Sequence, residues 1–232
     1  MQITYHGHSC FELVNEKNIL IDPFLSGNPL YNGADVEPDI IAVTHGHSDH
    51  LGDTADIASR TGATVVCNHE IAKYLQSEGI MAEIMNIGGV FEIDDVTFAM
   101  TEARHSSSID NIHAGGSAAG FVISENSIDG NSNNNDSSII YHAGDTGLFT
   151  DMELIADLHT PEICMLPIGG RYTMNPEDAA IAASWIGADI VIPMHYNTFD
   201  SIKQDPMEFV ELVGNLCDSE VIIMKPSETI EI

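Results

Sequence analysis

Thr44-His45-Gly46-His47-Ser48-Asp49-His50 decides how this chain is read. The segment follows the apolar run Ile40-Ile41-Ala42-Val43 and precedes a helix-like stretch from Asp53 to Arg60, so four potential metal ligands leave the end of one expected strand. Alternation puts His45 and His47 on the same side of an extended chain, while Asp49 and His50 follow as the chain turns. Two ions can therefore be approached from one loop. Neutral imidazoles and a carboxylate suit zinc, and accept manganese or iron as well. Chance alone gives a His-x-His-x-Asp-His string in roughly two of a thousand such chains, which makes a merely solvated polar loop a poor explanation.

Working outward, a pair of metals needs further ligands, and candidates stand at or just beyond other strand-like runs. His105 follows a run in which Val96, Phe98 and Met100 alternate with Thr97, Ala99 and Thr101. Asp145 follows Ile139 to Gly144, where the glycine lets the backbone turn and present the carboxylate. His195 follows Val191-Ile192-Pro193-Met194. Strand ends on one rim of a rigid scaffold are a common place for functional side chains.

Short apolar runs rich in β-branched residues predict strands at 2–5, 10–14, 18–22, 40–44, 63–67, 81–85, 90–104, 120–124, 138–142, 163–167, 190–194, 220–224 and 228–232. Asn175-Pro176-Glu177-Asp178 supplies a cap, a proline at the first helical position and acids in the first turn of a helix running to Ile186. Asp205-Pro206 repeats the cap-then-proline pattern, and Thr150 with Glu153 forms a capping-box sequence. Strands followed by alternating strands and helices, twice over, fit an α/β (α+β) fold of two sheets with helices on their outer sides. Residues 1–232 are expected to form a single domain. The polar, Asn-rich stretch from Glu125 to Ser138 reads as a long exposed hairpin loop.

Charge narrows the partners. Against 36 acidic residues stand only 7 Lys plus Arg, a net charge of -29, so the surface is poorly suited to a phosphate backbone and no nucleic acid is expected. The same balance fits a protein of a salty cytoplasm, where ions screen self-repulsion. No run of roughly 18 apolar residues occurs and the start lacks signal-peptide character, so a cytoplasmic protein with no membrane partner is expected. Cys10, Cys67, Cys164 and Cys217 form no Cys-x-x-Cys pair and read as small core residues. Nothing in the sequence sets the oligomeric state.

Taken together, His6-Gly7-His8-Ser9, Ile21-Asp22-Pro23-Phe24-Leu25, Thr44 to His50, Ala103-Arg104-His105-Ser106, Gly144-Asp145-Thr146-Gly147, Pro167-Ile168-Gly169-Gly170 with Thr173-Met174, and Pro193-Met194-His195 resemble the metallo-β-lactamase superfamily. Within it the chain is similar to the branch of metal-dependent hydrolases related to ascorbate-phosphate lactonase and, more distantly, to the phospholipase D acting on N-acyl phosphatidylethanolamines. The resemblance implies a four-layer αββα sandwich with a binuclear site at one rim. It implies that His45, His47 and His105 hold one ion, that Asp49, His50 and His195 hold the other, and that Asp145 bridges both. His8 and Asp22 belong to the branch's motifs and are expected beside the metals, Asp22 either orienting a ligand imidazole or serving as a turn residue before Pro23. Arg171 and Tyr172 lie in a segment that borders the family's cleft, where an arginine meets a substrate anion. His113 is a surface histidine or a substrate contact, and His69, His142 and His159 read as helix-cap, strand and surface residues.

The expected chemistry is hydrolysis of a small ester, lactone or phosphodiester, with two divalent ions, zinc foremost, activating water, and with Asp49 and Asp145 as the catalytic carboxylates. Loops on this scaffold change the substrate class, so the bond type stays open. The rival reading is a di-iron or mononuclear-iron redox protein on the same scaffold; retention of every His-x-His-x-Asp-His ligand, with no glutamate replacing one, weighs against it.

Overall fold

The computed structural model describes residues 1–110, 113–125 and 138–232. In chain order the first elements are β1 (Gln2–Gly7), β2 (Cys10–Val14), β3 (Asn18–Ile21), β4 (Ile40–Ala42), α1 (Thr54–Thr61), β5 (Thr64–Asn68), α2 (His69–Ser77) and β6 (Ala82–Met85). Then come β7 (Val90–Ile93), β8 (Val96–Glu102), β9 (Ser108–Ile109), β10 (His113–Ala114), β11 (Ala119–Glu125) and β12 (Ile140–His142). The last are α3 (Met152–His159), β13 (Ile163–Pro167), α4 (Pro176–Ile186), β14 (Ile190–Met194), a short 3-10 turn at Asp200–Ile202, α5 (Pro206–Leu216), β15 (Glu220–Val221) and β16 (Glu228–Glu231).

These elements gather into two compact units, one of Met1–Ile87, Ser106–Ala119 and Lys225–Ile232, the other of Gly88–His105 and Gly120–Met224. The first unit is a seven-stranded sheet in the order β16-β1-β2-β3-β4-β5-β6, with the small hairpin β10-β9. From β3 to β6 neighbouring strands run parallel. Parallel strands are covered on both faces, which is why Ile40, Ile41 and Ala42 are all fully buried rather than alternating. One face of that sheet, Leu20, Ile41, Val65 and Cys67, packs with Ile57 and Ala58 of α1 and Ile71, Ala72 and Leu75 of α2.

The second unit repeats the plan as β15-β14-β13-β12-β11-β8-β7, parallel from β12 to β15. Its core joins Val122, Tyr141, Cys164, Leu166 and Val191 of the strands to Met152, Ile155, Ala179, Ala183, Phe209 and Val213 of the helices. Helices α4 and α5 start as their sequences predict: the Asn175 side chain accepts from the Asp178 amide at 2.8 Å and that of Asp205 from the Met207 amide at 2.9 Å. Gly187 closes α4 in the left-handed region at φ 66°.

Two local expectations are revised. The run 90–104 is two strands, because Asp94 and Asp95 take φ 51° and 67° and form a two-residue hairpin between Ile93 and Val96. Thr150 does not cap α3, whose N-cap is Asp151 with no side-chain bond. At the start of α1 the Asp53 carboxylate makes no cap bond and accepts from the Leu25 and Ser26 amides, both at 2.9 Å, so securing the loop after β3. The Asn-rich stretch lies, apart from Glu125 and Ser138, outside the described residues.

Candidate metal centre

In the first unit the strand ends at Ile21 and Ala42 place Asp22 beside the loop 44–50. Asp22 is fully buried, and every described contact of its carboxylate is to that loop: Oδ1 accepts from the Thr44 amide at 2.8 Å, and Oδ2 accepts from the Thr44 hydroxyl at 2.7 Å and faces His50 Nδ1 at 2.7 Å. A carboxylate only accepts, so His50 Nδ1 carries the proton and Nε2 is left as the donor atom toward a cation. Both expectations for Asp22 have their geometry here: its carboxylate faces an imidazole, and its carbonyl accepts from the Phe24 amide at 2.7 Å across Pro23.

His45 and His47, one alternation apart, bring Nε2 and Nδ1 within 2.9 Å of each other. Two nitrogens that share one tetrahedral zinc at about 2.0–2.1 Å stand roughly 3.3 Å apart, so the pair is spaced for a single ion. Ser106 Oγ lies 3.5 Å from the far nitrogen of His47. Between them, the Gly46 amide donates to Ser107 Oγ at 3.1 Å, which in turn donates to the Gly115 carbonyl at 2.8 Å. Next along the loop, Asp49 Oδ2 stands 3.2 Å from His8 Nε2, and His8, Asp49 and His50 offer ligand atoms all within 4.8 Å of one another. Cys10 is no rival ligand: burial, with the charges of Asp22, Glu12 and Asp53, pushes its thiol well up, away from the thiolate a metal takes.

The second unit assembles the remaining expected ligands. Asp145, following β12 and the turn at Gly144 (φ 61°), directs one oxygen to His195 Nε2 at 3.0 Å and to His105 Nε2 at 3.5 Å. The loops are tied together, since the Arg104 amide donates to Thr146 Oγ1 at 2.9 Å and the Gly147 amide to the Arg104 carbonyl at 3.2 Å. His195 is only 2% exposed and rests on Gly169, where an added Cβ would lie 2.4 Å from the His195 carbonyl oxygen.

Backbone strain marks the same residues. His8, Asp22 and His195 hold φ of 60°, 46° and 54°, a region costing a non-glycine residue about 1–3 kcal/mol. Three buried residues with metal-binding side chains accept that cost, and each places its imidazole or carboxylate into one of these groups. The donor set itself, imidazoles and carboxylates at contact distance with the His50 tautomer fixed by Asp22, fits divalent metals of the zinc, manganese and iron kind.

Other candidates are settled more simply. Arg171 is exposed, its guanidinium 5.3 Å from the Tyr172 ring centroid and its amide bonded to the Gly169 carbonyl at 3.0 Å. His113 is exposed beside Tyr74, with ring centroids 5.9 Å apart. His69 opens α2, whose cap is Asn68; His142 is a buried strand residue; His159 ends α3, where burial lowers its pKa. Thr44 and Gly169 stand in the sequence motifs without an assigned role, and Ser107 and Asn68 stand outside them. Thr44 and Ser107 could have been suspected as hydroxyls beside the ligand residues, and Gly169 as the first of a glycine pair at a strand end.

Residues 17–196 match the Beta-lactamase superfamily domain. A UPF0173 metal-dependent hydrolase of Methanosarcina mazei is 51% identical over 100% of this chain and 99% of its own length, and one of Geobacillus thermodenitrificans is 46% identical over 100% of both. Among solved structures, Igni18, a metallo hydrolase of the hyperthermophilic archaeon Ignicoccus hospitalis, superposes with a TM-score of 0.86 at 38% identity, covering 99% of this chain and 97% of that one. The chain belongs to the β-lactamase superfamily domain family, and the αββα metallo-β-lactamase class expected from its motifs is its fold. No helix among the described residues is long and apolar enough to cross a membrane.

Proposed function

We propose that this metal-dependent hydrolase uses two divalent ions, zinc foremost, to cleave a small ester, lactone or phosphodiester in the cytoplasm, working as one functional domain over residues 1–232. The observation that carries the reading is the facing pair His45 Nε2 and His47 Nδ1 at 2.9 Å, spaced for one cation in a loop whose last histidine, His50, has its Nδ1 held by a buried carboxylate. In this reading His45, His47 and His105 hold one ion, Asp49, His50 and His195 the other, and Asp145 serves both. Bound there, divalent ions supply Lewis acidity, lowering the pKa of water and polarising the oxygen that gains charge.

The chain's own groups do the rest. Asp49, its side chain 32% exposed and its Oδ2 3.2 Å from His8 Nε2, is the partly exposed carboxylate of the loop; in this reading it orients the attacking water and takes its proton. Asp145 keeps one oxygen on two imidazoles at once, so its loss disturbs both. With a net charge of -29, the surface repels polyanions, so an anionic metabolite must be met locally, by the ions and by Arg171. The proposed substrate is accordingly a small metabolite rather than a nucleic acid, of the phosphorylated kind that the sequence motifs' resemblance to ascorbate-phosphate lactonase implies.

The test is hydrolysis of a panel, an aryl phosphodiester, a lactone, a thioester and a β-lactam, by protein of measured metal content, with Asp145→Asn as control. Turnover of one class that disappears in the variant is the expected result. Absence of bound metal, or bound iron with visible absorbance and no hydrolysis, would overturn the proposal.

A further inference from the structure

We infer that Thr44 is a positioning residue, whose hydroxyl makes the one buried carboxylate of Asp22 serve a ligand of each ion in the two-ion reading above, on which this inference rests. The argument is a count of protons. Thr44 Oγ1 lies 2.7 Å from Asp22 Oδ2 and 3.0 Å from His45 Nδ1, and all three residues are fully buried. The hydroxyl owns a single hydrogen. Given to His45, it would leave Oγ1 and Oδ2 facing each other at 2.7 Å as two acceptors with nothing between them, an arrangement a buried carboxylate does not tolerate.

The hydrogen therefore goes to Asp22, and His45 Nδ1–H donates to Thr44. That fixes His45 Nε2, the atom 2.9 Å from His47 Nδ1, as a lone pair. His50 is fixed in the same sense by direct contact of its Nδ1 with Asp22 Oδ2 at 2.7 Å. The imidazoles of His45 and His50, whose ring centroids are 4.0 Å apart, are thus set by one carboxylate, directly in one case and through a hydroxyl in the other. Threonine does here what a second aspartate would do at the price of another buried charge.

The experiment challenges the Zn2+-loaded full chain with a chromophoric chelator and reads the two Zn2+ affinities. Thr44→Val keeps the shape and the backbone amide bond to Asp22 but deletes the hydroxyl; Thr44→Ser restores it. Loss of a group that orients a ligand histidine costs roughly 10–100-fold in metal affinity. Thr44→Val is expected to weaken one Zn2+ by that factor and leave the other within about threefold, with Thr44→Ser within about threefold of wild type at both. Unchanged affinities in Thr44→Val, an equal fall at both ions, or a serine variant as weak as the valine one each overturn the relay while leaving the hydrolase reading standing. A wild-type chain that holds no Zn2+ removes that reading and this inference with it.

Discussion

Replacing Gly169 by alanine should disable His195 without touching it. Gly169 lies two residues beyond β13, and a Cβ there would meet the His195 carbonyl oxygen at 2.4 Å, His195 Nδ1 at 3.2 Å and Ile202 Cβ at 3.3 Å. Real Cβ atoms essentially never come within 3.0 Å of backbone, so the groups must part by at least about 0.6 Å. The β13 side cannot yield easily, because Leu166 and Pro167 are paired with Pro193 and Met194 and the Ile168 amide donates to the Met194 carbonyl at 3.0 Å. The displacement falls on His195, already strained at φ 54°, and carries Nε2 off its 3.0 Å contact with Asp145. A misplacement of about 1 Å costs on the order of 10²-fold in rate, so a shift near 0.6 Å predicts roughly a tenfold loss of turnover. Overpacking adds a stability loss of about 1–3 kcal/mol, or roughly 2–4 °C of Tm per kcal/mol for a chain of this size. Zn2+ affinity, turnover on the responsive substrate and Tm are measured together, with Gly214→Ala as control, since a Cβ at Gly214 meets nothing within 4 Å. Wild-type affinity and turnover in Gly169→Ala would refute the claim that a bare glycine sets His195.

Asp145→Asn, which keeps the shape but removes the charge facing His105 and His195, should lower both Zn2+ content and turnover, read by elemental analysis and the substrate panel; retention of two ions would refute its bridging role. Chelator treatment should abolish turnover, and added Zn2+ or Mn2+ should restore it. A thiol reagent on the native protein should titrate Cys217 alone, because burial pushes the thiols of Cys10, Cys67 and Cys164 up; rapid labelling of two or more sites would contradict the packing. Burial alone would raise the Glu12 carboxyl, but hydrogen bonds from His6 and Asn18 and the His6 charge outweigh it and hold its pKa below the usual range. Its folded value being depressed, its stabilisation is full above the unfolded value of about 4.3 and is lost as pH falls through the folded one. The Tm gap between wild type and Glu12→Gln should accordingly close on acidification, and a gap that persisted at pH 2 would count against the assignment.

The candidate metal loop was legible as a place in the fold because its donor residues are contiguous: Ile40 to Val43 announce a strand, and His45 to His50 stand at its end. The positions of His105, Asp145 and His195, just beyond the ends of β8, β12 and β14, were legible by the same rule. Asp22 was half legible, since an aspartate before proline serves a turn equally well, and only the approach of β3 to β4 shows which neighbour it holds. Thr44 and Gly169 were not legible in this role, because a hydroxyl relay and a missing Cβ acquire meaning only through neighbours distant in sequence. Of helix α2 only its start was legible, in the reading of His69 as a helix-cap residue, because its buried residues, Ile71, Ala72 and Leu75, are few and sit among charges. The hairpin β9-β10 escaped because two-residue strands have no period to read.

Asn68 caps α2 through its side-chain oxygen, and through its side-chain nitrogen it also grips the carbonyls of Gly115 at 2.6 Å and Ser117 at 2.9 Å. Gly115 in turn receives the Ser107 hydroxyl that accepts the Gly46 amide between the two histidines. In the language of hydrogen exchange, helix and histidine loop then share one opening event: the amides of Ile71 and Gly46 should exchange together, and loosening the first turn of α2 should release the ligand loop with it.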